Sequence, residues 1–270
     1  MNIHPTAIVS SSASLAQDVV IGPNAIIGDQ AVIGPRCVIQ ANAIIEGRVT
    51  MGEGNTVGYG AVIGAAPQDF AHSPDIESEV RIGDGNRLRE YVTIHRGTKP
   101  GTATVIGSGC FLMVGAHLAH NVRLADNVII TNNCLLAGYV EVGEGAVLGG
   151  GSVFHQFIRI GRRAMVAGGS SFNKDIPPFV TANLRNLLVG VNVIGMRRGG
   201  FGAATRMDVR RAYKLVFRSG LPVREAVTKA AGAGESAWTP ESLEFFHFIA
   251  ASKRGTCTAK RFHEAAVQIE

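Results

Sequence analysis

The densest chemistry in this 270-residue sequence sits in the run GAHLAHN, residues 115–121, where His117 and His120 stand three apart in an otherwise aliphatic stretch. An imidazole titrates near neutrality, so it can take a proton from a hydroxyl, ligate zinc, or serve only as a hydrogen-bonding surface group. The residues by themselves leave these three readings open. Cysteine chemistry would want paired spacings such as C-x-x-C, and the four cysteines show none. No motif delivers a serine or cysteine nucleophile either.

What must hold such residues is visible in the period of the chain. From Ile106 to Phe172 an aliphatic or aromatic residue returns at every sixth position, twelve hits in phase, and the same beat runs earlier from Leu15 through Ile63. Six is neither the 3.6 of an amphipathic helix nor the alternation of a half-buried strand. It marks one inward position per side of a coil, the hexapeptide repeat of a β-helix. Three hexads make an eighteen-residue, three-sided coil, so residues eighteen apart should stack at about 4.8 Å. That arithmetic puts His120, Gly138 and Gln156 in one column along a corner, with His155 beside Gln156 and Asn121 above Tyr139. Cys37, Cys110 and Cys134 fall where Ala, Val or Ser stands in sibling repeats and read as small core fillers. The 34 glycines fit a coil that turns a corner every few residues and needs positive φ there.

The beat breaks twice. Residues 65–81 carry Pro, Asp, Ser and His and read as a loop thrown out from one corner; residues 95–104, HRGTKPGTAT, read as a second, shorter excursion. After Phe172 the prolines of NKDIPPFV are expected to end the ladder. From about Asn192 the spacing turns helical, with Val209, Ala212, Tyr213, Val216 and Phe217 on one face and Leu243, Phe246 and Ile249 on another. The expected organisation is a β-helix over 1–190 and an α-helical part over 191–270. Hydrophobic content of 46% with 6% aromatic suits a finely divided core. The absence of a signal-like start or an apolar run of membrane-spanning length points to a soluble cytoplasmic protein with no integral membrane association. The net charge of +5 suggests an acidic partner without requiring nucleic acid.

The motifs VTIHRGT, GAHLAHN, LLAGYVEVGEGAVLGG, VFHQF, VGVNVIGMRR and AYKLVFRSG together resemble, in order and spacing, the UDP-N-acetylglucosamine O-acyltransferases that open lipid A biosynthesis. The resemblance covers nearly the whole chain. It implies a left-handed parallel β-helix with a helical C-terminal region, assembled as a homotrimer with sites between neighbours. It also implies an acyl carrier protein as donor, a UDP-sugar as acceptor and no cofactor or metal. It makes His120 the general base, His117 a substrate-side partner, and the Gly138 N–H a donor to the oxyanion. Gln68, Asp69, His155, Gln156, Asn192 and Arg198 match residues that bind the nucleotide sugar or the acyl donor, Arg198 suiting a phosphate. Gly168 matches a position that limits acyl length, where glycine would leave room for a longer chain. Direct transfer in a ternary complex follows, since a thioester is already activated.

Three positions depart from the family pattern. Asn121 stands where an aspartate commonly follows the base, Ala71 where a lysine follows the first-loop aspartate, and Tyr139 where a histidine follows the glycine. These keep alternatives in play: a 3-amino sugar nucleotide as acceptor, a paralogue acting on another sugar nucleotide, or a zinc-dependent hydratase of the γ-carbonic anhydrase kind drawing on His95, His117 and His120. The arginines of FIRIGRR, Arg159, Arg162 and Arg163, form part of a basic cluster expected to meet the acidic carrier protein.

Overall fold

A computed structural model describes residues 2–259. From the N-terminus the chain winds through two-residue strands, each pointing one side chain out and the next in, as with exposed Val20 and buried Ile21. The result is a left-handed parallel β-helix whose three faces are sheets of twelve, nine and eight strands among the described residues. Register runs at the expected eighteen residues, for example His117↔Leu135↔Val153↔Ser171 on the second face. The inward residues of every rung form one continuous core with Cys37, Cys110 and Cys134 buried inside it.

Corners turn through a residue at positive φ, and non-glycine residues such as Asn121, Tyr139 and Phe157 fill that position about as often as glycine does. Many glycines serve a different purpose. A Cβ on Gly34 would lie 2.6 Å from the carbonyl oxygen of Gly52 in the next coil, so stacking distance, not backbone sign, demands glycine there.

The first excursion spans residues 66–78, shorter than expected, because strand Glu79–Ile82 already pairs with coils on both sides. The second spans residues 96–102, between strands Thr93–His95 and Ala103–Ile106. The prolines do not end the ladder. Pro177 and Pro178 take a corner, where no strand N–H is needed, and Val180–Asn183 pairs in parallel with the coil above before an antiparallel return through Leu187–Val191 closes the prism. Four α-helices follow among the described residues: α1 (Val193–Arg198), α2 (Ala203–Arg218), α3 (Val223–Gly232) and α4 (Pro240–Ala250). The expected apolar faces are those of α2 and α4, whereas no helix is expected over α3, whose N-cap residue is Pro222. Residues 251–257 then strap back over the last coil, Asp175 pairing with Thr256, and Thr258–Ala259 joins the sheet beside Leu187–Val191. The remainder of the expected 191–270 part, from residue 260 on, lies outside the described residues.

Candidate active site

The outward positions of the second face, His117, Leu135, Val153 and Ser171, form the floor of a cleft of about 590 Å³. Its wall is the adjoining corner. There the eighteen-residue register stacks Tyr139 on Asn121 and Phe157 on Tyr139, and the backbone bonds Tyr139 N–H to His120 O and Phe157 N–H to Gly138 O, 3.0 Å each, tie the rungs together. Gln68 reaches the cleft from the first excursion, and His155 and Gln156 line it one rung below Gly138.

His120 and Gly138 are in contact. The imidazole lies against the bare Cα of Gly138, so closely that a Cβ there would fall 2.3 Å from Cε1 and 2.5 Å from Nε2. The corner also decides what the Gly138 amide can do. Ala137 N–H bonds to Phe154 and Tyr139 N–H to His120, while the Gly138 N–H has no hydrogen-bond partner among the described residues. A free N–H beside an imidazole nitrogen is an arrangement in which a base and an oxyanion donor flank one carbonyl.

His120 Nδ1 lies 3.1 Å from Asn121 Oδ1. That oxygen also accepts the Thr98 backbone N–H at 3.1 Å, which fixes the amide with its oxygen, not its nitrogen, toward the imidazole. His120 Nδ1 therefore carries the proton, leaving Nε2 with the lone pair. Tyr139 presents its ring edge-on to His120 at 5.3 Å between centroids and stacks on Phe157 at 4.9 Å.

His117 differs in kind. Its Nδ1 is 2.7 Å from the Thr93 hydroxyl and its ring meets that of His95 edge-on at 5.2 Å. Burial, reinforced by the neighbouring His95, lowers its pKa from 6.5 to about 4, so it is neutral throughout the physiological range. A neutral His117 can donate or accept a hydrogen bond in the cleft but holds no charge there. Among the described residues no three His, Cys, Asp or Glu side chains gather as a metal-ligand set.

Other expected site residues are placed elsewhere in the chain. Asp69 accepts the Ala71 N–H at 2.9 Å within its own loop and faces solvent. Asn192 caps α1, its Oδ1 accepting from Gly195 N–H and its Nδ2 donating to Arg163 O, both at 2.9 Å. Neither Asn192 nor Arg198, in the last turn of α1, lines this cleft, and Gly168 sits on the opposite corner of the face, where a Cβ would meet Gly150 O at 3.0 Å. Three members of the basic cluster also join elements: Arg159 pairs with Asp175 (3.1 Å), Arg162 with Glu244 (2.7 Å) and Arg163 with Glu144 (2.8 Å). Partners so distant in sequence leave no local signal. The same reason hid Arg185 on the cleft wall and Arg254, whose Nη2 comes within 3.4 Å of His155 Nδ1.

Comparison with known proteins agrees with this architecture. Residues 30–65 and 103–138 match the bacterial transferase hexapeptide (six repeats) family, and residues 175–257 match the second domain of UDP N-acetylglucosamine O-acyltransferase. The acyl-(acyl-carrier-protein)–UDP-N-acetylglucosamine O-acyltransferase of Janthinobacterium sp. (strain Marseille) is 43% identical over 261 residues, covering 94% of this chain and 98% of the relative. Among solved structures, the UDP-N-acetylglucosamine O-acyltransferase of Moraxella catarrhalis superposes with a TM-score of 0.90 at 38% identity, covering 95% of this chain and 100% of that one. The Francisella novicida UDP-N-acetylglucosamine acyltransferase gives 0.91 at 29% identity, covering 99% of each chain. Repeat, helical region, cleft and similarity over nearly the full length coincide, and the chain belongs to the UDP-N-acetylglucosamine O-acyltransferase family.

Proposed function

We propose that this protein transfers a 3-hydroxyacyl chain from acyl carrier protein to the 3-hydroxyl of UDP-N-acetylglucosamine, the first step of lipid A biosynthesis, as a cytoplasmic homotrimer. The observation that carries the reading is the contact of His120 with Gly138, whose N–H is left without an internal partner. The His120 Nε2 lone pair takes the proton of the sugar hydroxyl as its oxygen attacks the thioester carbonyl carbon. The Gly138 N–H donates to the oxygen that becomes negative, the C–S bond breaks, and the imidazolium returns the proton to the departing thiolate. Gln68, His117, His155 and Gln156 bind the two substrates along the cleft, and the apolar floor at Leu135 and Val153 receives the acyl chain. Asp69 is a further sugar-nucleotide contact, and Gly168 sets the room left for the acyl end. Asn192 and Arg198, remote from this chain's own cleft, serve the cleft of a neighbouring subunit. No helix among the described residues is long and apolar enough to cross a membrane, which fits a donor and an acceptor that are both water-soluble.

The neutral Asn121 beside His120 and the missing cation at Ala71 favour a second acceptor, the 3-amino analogue, since an amine asks less of its base. Mass spectrometry of products from 3-hydroxyacyl carrier protein, with both acceptors offered in parallel, separates the two readings. An ester identifies the hydroxyl acceptor and an amide alone the amino sugar. His120→Ala should lower kcat by about 10²–10⁴-fold with either acceptor; full activity in that variant would sink the mechanism.

A further inference from the structure

We propose that Thr98 is a positioning residue for His120, acting through Asn121, and that Tyr139 completes a neutral hydrogen-bonded chain that orients the imidazole without a carboxylate. The proposal rests on the reading of His120 as the base. It also gives the second excursion a purpose, because residues 96–102 leave the coil and return with Thr98 set against the corner that carries Asn121.

The geometry gives the chain a direction. The Thr98 hydroxyl donates to Asn121 Oδ1 at 3.1 Å, so the Tyr139 phenol, 3.1 Å from Thr98 Oγ1, donates to Thr98. With the Thr98 N–H and His120 Nδ1–H, three donors converge on one amide oxygen. Asn121 cannot turn away. It is buried, its φ is +61°, and its N–H donates to the buried Thr104 hydroxyl at 2.8 Å, which in turn donates to His95 O at 2.6 Å. Bonds aligned in one sense polarise one another, so the phenol and hydroxyl make Asn121 Oδ1 a stronger acceptor for the imidazole N–H. As proton transfer begins, positive charge develops on His120, and the bond to Oδ1 strengthens where it is needed. Aspartate would supply that help with charge; here two hydroxyls supply a smaller share by alignment.

Thr98→Val tests this with little change of shape, since it removes the hydroxyl and leaves the backbone N–H bond in place. Expected are a loss of about tenfold in kcat with KM unchanged, recovery to within about threefold in Thr98→Ser, and a smaller loss in Tyr139→Phe. The readout that a purely structural role would not move is the ¹⁵N spectrum of His120 in histidine-labelled protein. The Nδ1–H form should dominate in both proteins, because the Thr98 backbone N–H still holds Asn121 Oδ1 toward the ring, while the Nδ1 resonance should move in Thr98→Val as that acceptor weakens. An unchanged kcat and unchanged ¹⁵N spectrum in Thr98→Val would overturn the proposal, as would a valine variant no worse than the serine one. The spectrum keeps the two readings apart: a moved Nδ1 resonance in Thr98→Val alongside an active His120→Ala would remove the base and keep the positioning.

Discussion

His117 and His120 lie three residues apart, yet the fold gives them different work. His120 sits on a corner with one nitrogen bonded to Asn121, whereas His117 sits mid-face, half-buried beside His95 and held neutral. The depressed pKa of His117 has a cost at low pH. Above about pH 6.5 the folded and unfolded chains both carry it neutral; between 6.5 and about 4 the unfolded chain takes up a proton that the folded one refuses. Folding stability should therefore fall as pH drops through that window, and His117→Gln should flatten the fall. Urea transitions of parent and variant at pH 7 and pH 5 measure it, and parallel slopes would mean that another group carries the dependence. Gly138 makes a second prediction. Its φ lies outside the left-handed region, so Gly138→Ala costs little in backbone energy, but the methyl would occupy the space of the His120 ring. The expected outcome is a loss of at least about 100-fold in kcat with an unshifted unfolding midpoint. An active variant would show that the ring can move without consequence.

At the scale of elements, polar residues do the joining where the coil pattern is interrupted. Asn55 and Asn86 occupy inward places that Cys, Val or Ala fill in sibling rungs, and they survive burial because every rung supplies a partner. Asn55 donates to Gly52 O and Gly83 O and accepts from Asn86, which accepts the Cys110 N–H at 2.7 Å. Asp175 plays the same part between coil and strap. It accepts from Arg159 N, Nε and Nη2 and from the Ser252 hydroxyl, and it is 1% exposed. Asp175→Ala would strand Arg159, which is itself partly open to water, so the loss should sit near the lower end of about 3–5 kcal/mol. The strap carrying Lys253 and Arg254 should then open to trypsin. A variant as stable and protease-resistant as the parent would mean that the backbone pairing of Thr256 with Asp175 holds the strap alone.

At the scale of the molecule, the second face exposes two separate pairs of apolar side chains, Ile8 and Ile26 on adjacent rungs near its start and Leu135 and Val153 on adjacent rungs further along. A homotrimer would cover part of such a surface and bring Arg198 to a neighbour's cleft. Mixing is a direct test. Trimers reassembled from His120→Ala and Arg198→Ala chains should regain activity that neither variant has alone, because some clefts then pair an intact His120 with an intact Arg198. No recovery, in an assembly whose sedimentation mass is three chains, would place Arg198 at its own chain's site or at none.

How much of this was legible beforehand follows from how far each feature reaches along the chain. The coil, its eighteen-residue register, the buried cysteines and the column of His120, Gly138 and Gln156 were set by the sequence, because a repeat buries one residue per hexad and each rung copies the last. The extra strand past Pro177 and Pro178 was missed because a proline is harmless at a corner, and α3 because Pro222 opens a helix as readily as it ends one. The tautomer of His120, the neutrality of His117 and the internal pairing of Arg159, Arg162 and Arg163 were decided only by tertiary structure. Each depends on a group brought from an excursion, another rung or a helix, and no period in the sequence encodes which of those arrives or which way its hydrogen bond points.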